Sequence, residues 1–72
     1  MSKLAALIER IEEMTDDRGY AEFSPTRIIR LTDKAVLVQI EEEEVWFPCS
    51  QLRHLDGDVY ATEWILKQKG LL

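Results

Sequence analysis

Apolar residues at Leu4, Leu7, Ile8, Ile11 and Met14 recur with the 3.6-residue period of an α-helix, while Glu9, Arg10, Glu12 and Glu13 take the other side. The spacing predicts a helix over residues 2–14, capped by Ser2 and ended by the polar stretch 15–19, where Gly19 can take the left-handed conformation that follows a helix. Such a helix gathers Glu12, Glu13, Asp16 and Asp17 near the negative end of its own dipole, a conflict costing roughly 0.3 kcal/mol per charge. A sequence that tolerates this conflict reads as a charged contact surface.

After Gly19, helix formers give way to β-branched and aromatic residues. A strand is predicted over residues 26–31, just after Pro25, followed by a turn at Thr32-Asp33-Lys34. Residues 35–40, Ala-Val-Leu-Val-Gln-Ile, are apolar on both faces of a strand, the pattern of a central strand covered on both sides or closed into a small barrel. Glu41, Glu42, Glu43 and Glu44 would repel one another in a flat strand, so they predict a solvated hairpin tip. A third strand follows at Val45-Trp46-Phe47 and stops at Pro48, and Ser50 is placed to cap one helical turn through Gln51, Leu52 and Arg53. Asp56-Gly57 is a hairpin-type turn into Val59-Tyr60-Ala61, and Thr62 caps a last helix over residues 63–69 closed by Gly70. Trp46 and Trp64 lie in apolar stretches and are expected in the core, where each buries roughly 200 Å². The expected fold is α+β in one domain, residues 1–72: an N-terminal helix, a bent antiparallel sheet of three or four strands, open or closed as a small SH3-like barrel, and a short C-terminal helix.

Length changes the functional picture. A chain of 72 residues hides only about 60% of its unfolded surface, so the core is thin and a preorganised catalytic cleft is hard to build beside it. A protein partner, or a second copy of the chain in a homo-oligomer, is expected to supply what the core lacks. No apolar run approaches the roughly 18 residues a membrane span needs, and Glu9 interrupts the start before a secretion signal could develop. With Cys49 as its single cysteine, the chain has no internal disulfide and fits a reducing, cytoplasmic setting without membrane, metal or other cofactor.

Cys49, His54, Asp56 and Asp58 are the residue types of a Cys-His hydrolase or a metal site. No Gly-rich turn stands beside Cys49 to form an oxyanion hole, so the expectation is a half-buried cysteine, a surface histidine and no catalytic residue. Arg27, Arg30, Lys34 and Arg53, with Tyr20, Phe23, Trp46 and Tyr60 as stacking faces, are the parts of a single-stranded nucleic-acid platform. The net charge of −5 opposes that reading by repelling phosphate. The same charge favours the acidic residues, Glu41 to Glu44 together with Glu12, Glu13, Asp16 and Asp17, as the surface that meets a basic patch on another protein, because closely spaced carboxylates imitate the charge density of nucleic acid.

Lys34-Ala35-Val36-Leu37-Val38, then Glu44-Val45-Trp46-Phe47-Pro48 with Ser50-Gln51, then Thr62-Glu63-Trp64-Ile65 and Lys69-Gly70-Leu71, resemble small proteins of bacteriophages and other mobile elements over residues 32–72. In that group a hairpin leads to a Trp-hydrophobic-Pro-x-Ser-Gln turn, and a tryptophan-bearing helix follows. This chain departs from the pattern at Cys49, where a lysine is common, and at the glutamate run, where a glycine turn is usual. The resemblance implies a fold and brings no catalytic residues. Taken with size and charge, it implies a non-catalytic accessory protein that binds a host protein through an acidic surface, inhibiting a nucleic-acid-binding defence complex in the manner of anti-CRISPR proteins. A small nucleic-acid-binding barrel is the alternative.

Overall fold

In the computed structural model, which describes every residue except Met1, Asp17, Ser24 and Thr26, helix α1 covers Lys3–Arg10, and the Ser2 hydroxyl accepts a hydrogen bond from the Ala5 N–H at 3.1 Å. The helix ends earlier than its apolar period predicts. Ile11 is already extended, at φ −111° and ψ 157°, and Glu12–Glu13 form strand β1. The period misleads because Ile11 and Met14, 6% and 7% exposed, reach from extended backbone into the interior that a helix would also have offered them. Their backbone finds partners in a sheet instead: β1 runs parallel to β6 (Leu52–Leu55), and the Met14 N–H donates to the His54 carbonyl at 2.8 Å. This early end removes the dipole conflict, since the last turn carries Arg10, a favourable cation there. Gly19, at φ +79°, serves the turn into β2 (Tyr20–Glu22) and does not close a helix.

Strands β3 (Arg27–Leu31), β4 (Ala35–Ile40) and β5 (Glu43–Pro48) form an antiparallel meander. The sequence of β3 does not alternate, and a bulge reconciles it. An extra residue, Ile29, separates Ile28, opposite Val38, from Arg30, opposite Leu37, so that Ile28 and Leu31 both pack on the core. Thr32 closes the first turn, its N–H donating to the Ala35 carbonyl at 2.9 Å and its hydroxyl accepting from the Ala35 N–H at 3.1 Å. The second turn is only Glu41-Glu42, so the predicted four-residue tip is half turn and half strand.

After β5 a 3₁₀ turn covers Cys49–Gln51, with no side-chain cap from Ser50. Leu52 and Arg53, expected in a helical turn, belong to β6, because Leu52 is fully buried on the core face opposite Ala61. Strand β7 (Asp58–Thr62) follows the Asp56-Gly57 turn, whose φ values of +53° and +86° are those of a tight hairpin. Thr62 then caps helix α2 (Glu63–Gln68) by accepting from the Ile65 N–H at 3.2 Å. At its end Gly70, at φ +75°, donates to the Lys67 carbonyl and Leu71 to that of Leu66, the Schellman arrangement that glycine permits.

The α+β class is therefore as expected, but the described residues form two separate sheets, ordered β1-β6-β7-β2 and β3-β4-β5, and no closed barrel among them. Between them lies one core cluster that includes Leu7, Val36, Val38, Phe47, Leu52, Ala61 and Leu66, with Phe23 stacked on Phe47 at 4.9 Å. Neither tryptophan belongs to it. Val36 pairs with Phe47 and Leu37 with Trp46, so the register sends Phe47 inward and leaves Trp46 42% exposed. Trp64 is 60% exposed because Ile65 and Leu66 take the buried side of α2. Among the described residues, no helix is long and apolar enough to cross a membrane.

Candidate functional site

The turn between β4 and β5 brings Glu41, Glu42 and Glu43 to one rim of an open groove of about 840 Å³. Glu22, on β2, lines the same groove, and its apolar lining includes Phe23, Ile40, Leu66, Leu71 and Leu72. Each arrives for a local reason. Pairing of β2 with β7 sets Glu22 opposite Tyr60, and the Schellman turn after α2 folds Leu71 back onto the core. Leu72 stays 60% exposed. Among the described residues, no Lys, Arg or His lines the groove and none of its glutamates makes an ion pair. Glu41 holds φ +56°, a left-handed conformation that costs a non-glycine residue about 1 kcal/mol. A carboxylate thus stands where glycine would relieve strain.

The acidic residues named from the sequence do not act as one array. Glu43 and Glu44 are neighbours on β5 and point to opposite faces, so Glu44 leaves the groove for the outer face of the sheet, opposite Gln39. The second cluster, expected at the end of a helix, lies on β1 and the segment after it. There Arg53 stands 3.6 Å from Glu12, and Arg18 pairs with Asp16 at 2.9 Å. Hydrogen bonds from the Arg18 side chain and backbone hold the Asp16 carboxyl below its ordinary range. Glu13 is exposed beside them, and Asp17 lies outside the described residues. These arginines compensate the second cluster, whereas the groove keeps its negative field.

The basic candidates also separate. Arg27 and Arg30 are exposed on β3 and Lys34 in the following turn, but Arg53 belongs to the other sheet, over the Tyr20 ring at 5.7 Å and donating to the Ser50 and Leu52 carbonyls. Phe23, a predicted stacking face, is spent on Phe47. A smaller hollow of about 320 Å³, lined from α1, β2, β3 and the start of β7, carries Lys3 and Arg27 together with Glu22 and Asp58, so its lining has no single sign of charge.

Cys49 is half-buried against the core, with its N–H donating to the Lys34 carbonyl at 2.8 Å. Burial pushes its thiol above the ordinary value despite the nearby Arg10, the opposite of nucleophile activation. His54 lies on β6 opposite Val59. Among the described residues, no group of three or more His, Cys, Asp or Glu side chains is placed to hold a metal ion.

Sequence reasoning missed Glu22, Leu71 and Leu72 as groove residues. The only local signal was an apolar pair just beyond the glycine that closes α2. Compared with protein-family models, curated proteins and solved structures, the chain matches none.

Proposed function

We propose that this chain is a non-catalytic binding protein that captures a basic, apolar-faced segment of a host protein in the groove rimmed by Glu22, Glu41, Glu42 and Glu43. The observation that carries the reading is the combination of an apolar lining with these carboxylates and no cation among the groove residues. Charge of one sign steers a basic partner and speeds its arrival, and burial of Leu71 and Leu72 sets how long it stays. The biological setting follows from the resemblance of residues 32–72 to mobile-element proteins: an accessory protein that occupies the basic, nucleic-acid-binding surface of a host defence complex, as anti-CRISPR proteins do.

A synthetic peptide with arginines on one helical face and leucines on the other is the first probe, read by fluorescence anisotropy. Binding should weaken steeply with salt and vanish when Glu41, Glu42 and Glu43 are changed together to Lys. The matched set Glu12→Lys, Glu13→Lys and Asp16→Lys should leave it nearly unchanged, because those carboxylates border the compensated surface. Equal loss from both sets would reduce the effect to net charge and sink the groove. Nuclease-treated host lysate passed over the immobilised chain then asks whether a protein is retained by the same residues.

A further inference from the structure

Strand β4 carries apolar residues on both faces, with Gln39 the one polar side chain, and the fold covers one face. Val36 and Val38 are fully buried, while Ala35, Leu37 and Gln39 stand half-exposed on the other side and do not pack against the core cluster. Cross-strand register builds two rows on this outer face. Arg30 lies opposite Leu37 and Leu37 opposite Trp46; Arg27 lies opposite Gln39 and Gln39 opposite Glu44. Arg27, Arg30, Glu44 and Trp46 are exposed. Among the described residues, none of the three charged ones has an ion-pair partner. The face therefore has a cationic edge on β3, a centre in which Ala35 and Leu37 are apolar and Gln39 is neutral but polar, and on β5 an edge that is anionic at Glu44 and aromatic at Trp46.

We propose that this face is the interface of a homodimer whose twofold axis runs along β4. That rotation lays β3 of one copy over β5 of the other. Arg27 then meets the partner subunit's Glu44, Arg30 meets the ring of the partner subunit's Trp46, and the two Leu37 side chains meet on the axis. The first contact is a charge-assisted pair, the second a cation–π contact, and each occurs twice. An axis across the strands would set each edge over itself, arginine on arginine, so the charge pattern selects the lengthwise axis. Three strands about 4.8 Å apart and about six residues long span roughly 14 by 20 Å. Such a patch falls below the roughly 800 Å² per partner of a standard interface, so the dimer is weak, with a Kd on the order of 10 to 100 µM. This surface is separate from the acidic groove, and either proposal can fail without the other.

Sedimentation equilibrium of the whole chain from about 5 µM to about 1 mM tests the proposal across that range. The mass should rise toward that of a dimer, and Trp46→Ala should weaken association about tenfold or more. Arg27→Glu alone and Glu44→Arg alone should each weaken it about as much, and the two together should restore it to within about threefold, because only the lengthwise axis pairs these positions. All of these side chains are exposed, and unchanged melting curves would confirm that the variants fold. A monomer at every concentration overturns the proposal, as does a dimer indifferent to these changes or a double variant that restores nothing. A chain that stays monomeric and retains an oligonucleotide through Arg27 and Arg30 overturns it too, and reassigns the face to nucleic acid.

Discussion

Phe47 and Trp46 are adjacent aromatic residues on one strand, and they stand in opposite surroundings. Phe47 is fully buried and stacked on Phe23, whereas Trp46 is 42% exposed on a face where Leu37 and Ala35 are also only half covered. The two faces of the β3-β4-β5 sheet thus differ in role: one, built from Ile28, Leu31, Val36, Val38, Val45 and Phe47, closes this chain's core, and the other sets Leu37 and Trp46 among Arg27, Arg30, Gln39 and Glu44 outside it. Hydrophobicity does not choose between the faces of such a strand. Register does, and a slip of one residue would exchange them.

The largest expected effect breaks the comparison on the inner side. Phe47→Ala should cost about 3–5 kcal/mol, enough to unfold most of a chain this small, and Trp46→Ala should stay within about 0.5 kcal/mol in the same urea titration. Comparable losses at both positions would mean that the outer face is structural after all. A subtler pair exchanges shape for polarity. Val36→Thr should cost about 1–3 kcal/mol by burying a hydroxyl without a partner, and Leu37→Thr on the outer face should cost far less. If the two melt alike, the inner face is wetter than its burial implies.

Next in size is a gain. Glu41→Gly should raise stability by about 0.5–1 kcal/mol, because glycine adopts φ +56° without strain. It should also weaken binding of the basic peptide, and a gain in stability with undiminished binding would separate Glu41 from the groove's function. The smallest effect concerns Cys49, which leans on the inner side. Burial outweighs Arg10 and raises its thiol pKa, favouring the neutral form in the folded chain. The associated stability is present below the unfolded value and is lost as pH rises through the higher folded one. Alkylation by iodoacetamide near pH 8 should be several-fold slower than that of an unstructured cysteine. Alkaline destabilisation should diminish in Cys49→Ser, and an equally reactive thiol would contradict its burial.

What the sequence determined by itself is local. Ser2 and Thr62 name their helix starts because a hydroxyl there meets an amide three residues on, and Asp56-Gly57 and Gly70 mark turns that need a positive φ. Ala35–Ile40 is legible as a strand, and the glutamate run as exposed charge, since four adjacent carboxylates have no place inside. Only the tertiary structure decided what depends on partners far along the chain. The apolar period through Met14 suited a helix until β6 offered Glu12 and Glu13 a parallel ladder. Trp46 and Phe47 were equivalent until Val36 paired with Phe47. The acidic residues had one charge but two environments, one compensated by Arg18 and Arg53 and the other joined to Leu71 and Leu72. Caps and turns are set by neighbours three or four residues away along the chain. Register, burial and charge compensation are set by which distant surfaces fit together, and no window along the chain contains both surfaces at once.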